Sequence, residues 1–558
     1  GDRAFELKAP PTRLQSRSLM GQVPPSVRRH APAFLAVAVW LAGAVHLVGW
    51  VGQNPLPDGF QNEYLHVGNA YDLWYALLDA DTWHMRWFMY TGYWPWGFYA
   101  VPWATLGVLG ASQLALVSGN LLHLAALCWG GWRLGRVFDA PLAPLLLALC
   151  PGVFGTLVRF EPNLATIAWT VAGVACLVSS RGLRERKWVM GWGACLGLGL
   201  MFDRLTVGFF LVPAVLPLAL GAHDKRAWRH LAQAGLLTLF LTAAYYREFF
   251  LRHTDELLGQ APVGEIDAAG QVTVNGGIWP GLYYPLTLVD SQAGAVIGGL
   301  MLLGFGIAVV GWTREVRQGG WSRLRSDPRG PLLAAVVPAV VLFSLIAKKQ
   351  VYYTLPILGP LAVLAATRKR LAWLGVVAGL HGVLSLGWGV VQDRPVSAPF
   401  LPRAWVSPRH TLAQPPAREH WPLDEAAADV LQNSDLDAIV VMSEDHRLYE
   451  GYLALGMRER MPGVDVRGVT TDPHGTYELL AEQDALVWVG DPGGGWPTAG
   501  DIEAELLADH YNLAELPPVA DTVAGAAEQF EEVGRHRARN DVEVDIVVFR
   551  RVRADTEQ

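Results

Sequence analysis

The feature that most constrains this chain is a series of apolar runs that repeats between Pro32 and Val391. The runs are long enough to cross a hydrocarbon core about 30 Å thick. The first is Ala33 to Val51, and others follow at 111–131, 139–157, 164–180, 188–202, 205–220, 231–247, 286–312, 331–347, 353–367 and 371–391. Read as helices they make about eleven crossings. Composition agrees: 52% of the 558 residues are hydrophobic and only 17% charged, where a soluble chain carries about 25%. The expectation is a polytopic α-helical membrane protein. A net charge of -7 argues against a nucleic-acid partner. Cys128, Cys150, Cys176 and Cys195 fall inside apolar runs, so they read as small hydrophobes rather than as disulfides or zinc ligands.

Orientation follows from Lys and Arg, which concentrate in cytoplasmic connections. The tail with Arg13, Arg17, Arg28 and Arg29, the pair Arg133/Arg136, the loop Arg181 to Lys187, the cluster Lys225/Arg226/Arg229, the stretch Arg314 to Arg329, and Arg368-Lys369-Arg370 all fall on one side. Residues 1–31 therefore read as a cytoplasmic tail, with the first apolar run as the anchor. Residues 32–394 read as the transmembrane domain. An odd number of crossings places residues 395–558 outside. Residues 54–110 form a long first outer loop whose segments Asp72 to Leu78 and Trp94 to Leu109 read as interfacial helices rich in Trp and Tyr. A spanning helix at Trp94 would break the alternation of charge.

Beyond Pro395 the pattern changes to short strands at Asp437 to Met442, Val464 to Val469, Ala485 to Val489 and Val542 to Phe549. They alternate with helical segments near 424–433, 447–459, 475–482 and 499–510. This predicts a C-terminal extracytoplasmic α/β domain. Gly490 to Gly495 follows a strand without the glycine spacing of a nucleotide loop, and reads as a plain loop. Asp445 and His446 stand at another strand end.

The topology leaves a short set of outward-facing polar residues: Asn62, Glu63 and His66; Arg159, Glu161 and Asn163; Asp203 and Arg204; Tyr245, Tyr246 and Arg247; and Lys348, Lys349, Tyr352 and Tyr353. Such a rim can hold a phosphate by its cations and an acceptor hydroxyl by its carboxylates. A plainer reading stands beside each residue. Glu63 reads equally as a solvated loop carboxylate, and His66 as a ring bonded to a loop carbonyl. Glu161 before Pro162 favours a helix N-terminus on electrostatic grounds alone. Asp203 and Arg204 read as a buried ion pair. Lys348 and Lys349 read as residues snorkelling to headgroups, although they lie against the positive-inside bias. The Tyr and Trp side chains read as a membrane belt.

Five stretches occur here in one order: Asn62-Glu63-Tyr64-Leu65-His66, Tyr93-Trp94-Pro95-Trp96, Pro151 to Asn163, Gly197 to Arg204, and Phe343 to Pro356. Over roughly residues 30–390 this pattern resembles the GT-C glycosyltransferases. It is most similar to the branch with protein O-mannosyltransferases and the lipid A aminoarabinose transferase. The resemblance implies inverting transfer of a sugar from a polyprenyl-phosphate donor to an acceptor at the outer face of a bacterial inner membrane. A first-loop carboxylate would take the hydroxyl proton, and Lys348, Lys349, Arg204 and Arg159 would hold the donor phosphate. Glu161, Asp203, Tyr246, Tyr352 and Tyr353 would line the substrate. The family usually has Asp where this chain has Asn62, and an amide cannot act as a base. Glu63 then leads, with His66 second. The alternative is a catalytically inactive GT-C-like subunit that binds partner membrane proteins. A transporter is a weaker third class, because broken helices in matching halves are not visible. No metal ligand set is assigned, and the carboxylate spacing leaves a divalent metal open.

Overall fold

The apolar runs become helices in the computed structural model, which describes residues 25–53, 63–78, 80–91, 94–220, 222, 224–259, 282–319, 327–345, 352–367, 372–386, 421–432, 438–443, 453, 457, 460–461, 464–468, 485–490, 496, 526–537 and 545–552. Among these residues, Ala33–Val51, Gln113–Val137 and Ala295–Glu315 are long and apolar enough to cross a membrane by length and composition, and several shorter apolar helices accompany them. The count of about eleven crossings is neither reached nor excluded by these residues.

The first anchor is α1 (Pro25–Val51). Within the stretch expected as a first outer loop lie α2 (Glu63–Leu78), α3 (Thr82–Thr91), α4 (Trp96–Ala100) and α5 (Trp103–Leu109). Two prolines set the last two apart, since Pro95 and Pro102 occupy their N-cap positions and cannot extend a helix by an N–H bond. The Trp94 segment is thus not a single spanning helix. The next run divides into α6 (Gln113–Ser118) and α7 (Asn120–Val137).

The 139–157 run departs from expectation. It breaks at Leu149 and Cys150 into α8 (Ala143–Ala148) and α9 (Pro151–Leu157), each opening with a proline in its first turn. Hydropathy alone does not register such a break, because both halves are equally apolar.

At the centre of the bundle stands α10 (Asn163–Ser179), in which every residue except Trp169 and Val178 is buried. It packs against α7 on one side and against α11 (Arg186–Phe202) and α12 (Thr206–Leu220) on the others. Small residues permit this closeness, as expected where lipid supplies no hydrophobic drive between helices. A Cβ at Gly130 of α7 would lie 2.9 Å from the backbone nitrogen of Ala172.

The later helices of the bundle are α13 (Lys225–Gly259), α14 (Tyr283–Thr287), a π turn at Leu288–Gln292, α15 (Ala295–Gly319), α16 (Arg329–Leu345), a 3-10 turn at Leu355–Ile357 leading into α17 (Leu358–Ala366), and α18 (Ala372–Leu386). The expected end at Arg247 is overrun, since α13 continues to Gly259, and Tyr245 and Tyr246 are mid-helix residues.

The C-terminal part contains α19 (Leu423–Leu431) and strands β1 (Ala438–Ser443), β2 (Asp465–Gly468), β3 (Ala485–Gly490), β4 (Phe530–Arg537) and β5 (Asp545–Arg551), in the order β2-β1-β3-β5-β4. β1 pairs parallel with β2 and β3, and β5 pairs antiparallel with β3 and β4. The core under the sheet combines Leu423, Ala426 and Val430 of α19 with Ile439, Val441, Val487, Ile546 and Val548. Leu453, Met457 and Met461 join it at helical spacing, the first two within the segment expected near 447–459 and the third just past it. The helices expected at 475–482 and 499–510 lie outside the described residues. β4 was not expected.

Candidate active site

Three chain junctions place polar groups at the N-terminal end of α10. The first is the turn between α9 and α10, where Arg159, Phe160 and Glu161 are buried. Asn120 fixes that turn from α7, its amide donating to the carbonyls of Leu157 at 3.0 Å and Arg159 at 2.7 Å. Asn163 at the start of α10 donates to Glu161 Oε2 at 2.6 Å. The carboxylate thereby sits at the positive end of the central helix.

The second is the turn between α11 and α12, where Asp203 caps α11. Thr166, one turn into α10, donates its hydroxyl to Asp203 Oδ2 at 2.5 Å. Burial raises the Asp203 carboxyl above its ordinary range, while the bonds from Thr166 and Thr206 and the charge of Arg204 pull it back. Beside it, the Arg204 guanidinium carbon lies 3.7 Å from the ring centre of Trp94, a close cation–π stack. A tryptophan from the turn ahead of α4 thus holds the cation of the α11–α12 turn.

The third is the turn ahead of α17. Tyr352 is raised well above its ordinary range, by burial first and then by its neighbours Tyr353, Glu161 and Asp203, while Arg204 opposes. Tyr352 therefore lies within electrostatic reach of both carboxylates and the cation. From α13, the Tyr246 hydroxyl donates to the Leu200 carbonyl at 3.0 Å, and Tyr245, Tyr246 and Phe249 form an aromatic ledge with Met201.

His66 meets this group from below α4. Its ring packs on Trp94 with centroids 4.7 Å apart, and its Nδ1 lies 3.0 Å from the Tyr99 hydroxyl. Asn69 donates to that hydroxyl at 3.1 Å. Burial, assisted by Arg204, pushes His66 down to about 3. The ring is neutral at physiological pH.

Of the residues singled out from sequence, Arg204, Asp203, Glu161, Tyr352 and His66 are drawn together, with Arg159, Tyr246 and Tyr353 adjoining. Glu63 opens α2, but its side chain, and Asn62, Lys348 and Lys349 entirely, lie outside the described residues. Sequence reading missed Trp94, Thr166, Tyr99 and Asn69 as site residues. Trp94 stood in one of the matched stretches yet read as a belt residue, and Thr166 looked like a helix-interior hydroxyl with no charge to mark it. Among the described residues no three His, Cys, Asp or Glu side chains gather to hold a metal ion.

No protein-family model and no curated protein sequence matches the chain. Solved structures do. The crystal structure of ArnT from Cupriavidus metallidurans in the apo state superposes with a TM-score of 0.50 at 14% identity, covering 92% of this chain and 97% of that one. The same protein bound to undecaprenyl phosphate superposes with a TM-score of 0.50 at 13% identity, covering 93% and 98%. At such identity the likeness is one of fold, and it extends over the membrane helices and the C-terminal sheet alike. The chain is an integral membrane protein with an ArnT-like fold.

Proposed function

We propose that this protein transfers a sugar from a polyprenyl-phosphate donor to an acceptor at the outer face of the membrane, with inversion at the sugar carbon. The observation that carries the reading is the Arg204 guanidinium, 3.7 Å from the ring centre of Trp94 from a distant part of the chain and within electrostatic reach of its neighbour Asp203 and of Tyr352. A neighbour of the same fold is crystallised with undecaprenyl phosphate, and a cation near a carboxylate and a tyrosine suits a phosphate leaving group beside a hydroxyl nucleophile.

Arg204 stabilises the charge that develops on the departing phosphate, with Arg159, Lys348 and Lys349 as further cations. Glu63 takes the proton from the attacking hydroxyl. Glu161, Asp203, Tyr246, Tyr352 and Tyr353 line the substrate. Residues 1–31 lie in the cytoplasm, 32–394 form the membrane domain and 395–558 an outer domain, an orientation supported by the one-sided distribution of Lys and Arg.

Asn62 favours a second reading, in which the chain keeps the fold as a non-catalytic subunit and binds partner membrane proteins. Both are tested by supplying the full chain in membranes with labelled polyprenyl-phosphate pentose or hexose. The first reading expects turnover in wild type and loss in Glu63→Gln. A silent wild type that gains turnover on Asn62→Asp establishes the second.

A further inference from the structure

The opposite end of α10 carries a second charged region, about 25 Å from the first by helix rise alone, that sugar transfer does not use. Arg133 of α7 lies over the final turn of α10 and donates from Nε to Ser179 Oγ at 2.9 Å. Its guanidinium carbon is 4.3 Å from the ring centre of Trp188 at the start of α11. Lys187 approaches the same ring, 5.5 Å from its centre, and Trp129 stacks on it at 6.3 Å. Arg136, one turn beyond, sits 5.3 Å from the ring centre of Trp132. Arg133 lies within electrostatic reach of Arg136 and Arg181, and of the Glu185 carboxylate, which partly offsets them.

These cations are short of carboxylates. Glu185 is bonded to Arg181 at 3.0 Å, and among the described residues no carboxylate forms an ion pair with Arg133, Arg136 or Lys187. Like charges this close at a membrane boundary are held together most favourably by a shared anion. The neighbouring surface indicates which kind. Leu122, Ala125 and Trp129 form an exposed stripe on α7, spaced three and four residues apart, and it runs directly into the level of Arg133 and Arg136. An apolar stripe ending in Trp-backed cations has the profile of a lipid with its chains on the stripe and its phosphate at the foot.

We infer that Arg133, Arg136 and Lys187, backed by Trp129 and Trp188, form a binding site for one anionic phospholipid in the leaflet at this end of the bundle. The positive-inside bias explains why cations lie at this end. It does not explain why two guanidiniums are laid on tryptophan rings beside a lipid-facing stripe.

Native mass spectrometry of the detergent-solubilised full chain tests the site with phosphatidylglycerol, phosphatidylcholine and inorganic phosphate as separate additives. Wild type should retain one phosphatidylglycerol in preference to phosphatidylcholine, and inorganic phosphate should not displace it. Retention should fall about fivefold for each cation removed in Arg136→Gln and Lys187→Gln. Both side chains are exposed, and gel filtration confirms that each variant stays monodisperse. The double variant Lys225→Gln/Arg226→Gln, which removes charge at the same end but away from the tryptophans, should retain lipid like wild type. Equal loss in that control means diffuse charge attraction and overturns the site. So does undiminished retention in Arg136→Gln and Lys187→Gln, or competition by inorganic phosphate alone.

Discussion

At the scale of single residues, the site turns on how one guanidinium is held. The Arg204 guanidinium carbon lies over the Trp94 ring, a contact that supports the cation without neutralising it. Arg204→Ala should lower kcat/KM for the lipid-linked donor roughly a hundredfold, the usual cost of removing a group that stabilises developing charge. Arg204→Lys should fall between, because the ammonium keeps the charge and loses the stack. Trp94→Ala keeps the arginine and loses only its support, for an expected loss of roughly two- to fivefold. Initial rates with a labelled donor measure all three. His66 makes a different prediction. Its folded-state value near 3 is below the unfolded value of about 6.5, so between these limits the unfolded chain binds the extra proton. Its contribution to stability is whole above pH 6.5 and is lost as pH falls toward 3, by at most about 1.4 kcal/mol per pH unit. The melting midpoint of wild type should therefore drop between pH 7.5 and 5.5, and His66→Asn should drop less. An equal decline in the two proteins would show that the ring does not titrate in this window.

At the scale of elements, the turn ahead of α4 reaches the site only because α4 lies against the end of α11. A Cβ at Gly97 would stand 2.7 Å from the Met201 carbonyl oxygen. Gly97→Ala should cost about 1–3 kcal/mol through displacement of α4, and should lower transfer as Trp94 moves off Arg204. At Gly235 on α13 a Cβ meets nothing within 4 Å, so Gly235→Ala should leave transfer intact and stabilise slightly through helix propensity. Thermal unfolding with activity on the same samples separates the two. Elements also differ in how legible they are. α10 was plain from sequence because its unbroken apolar composition is what burial on all sides demands. β4 was not, because Phe530 to Arg537 carries five charged or His side chains among eight residues. It is an edge strand whose partner is β5, and charge on an edge blunts further pairing while erasing the hydrophobic alternation that reveals strands. The break between α8 and α9 and the π turn at Leu288–Gln292 were hidden for a related reason, since hydropathy carries no record of local backbone hydrogen bonding.

At the scale of the whole molecule, the helical bundle followed by a small sheet is a property of composition along the chain, and the superposition on ArnT extends over more than nine-tenths of it. Orientation is tested at this scale. All four native cysteines are buried, so single cysteines introduced at the exposed positions Glu425 and Arg226 report topology against a low background. In intact cells Glu425→Cys should react with a membrane-impermeant maleimide and Arg226→Cys only after permeabilisation. The reverse pattern would move the proposed chemistry to the other face. What the sequence by itself determined is the class of protein, because the free energy of placing a residue in lipid depends on its own side chain and those of its near neighbours. It also supplied most of the candidate polar residues, which stand out against an apolar background. Only the tertiary structure decided which of them meet. That Trp94 stacks on Arg204 and that Thr166 binds Asp203 depend on helix packing between positions far apart in the chain, and no local pattern encodes those distances.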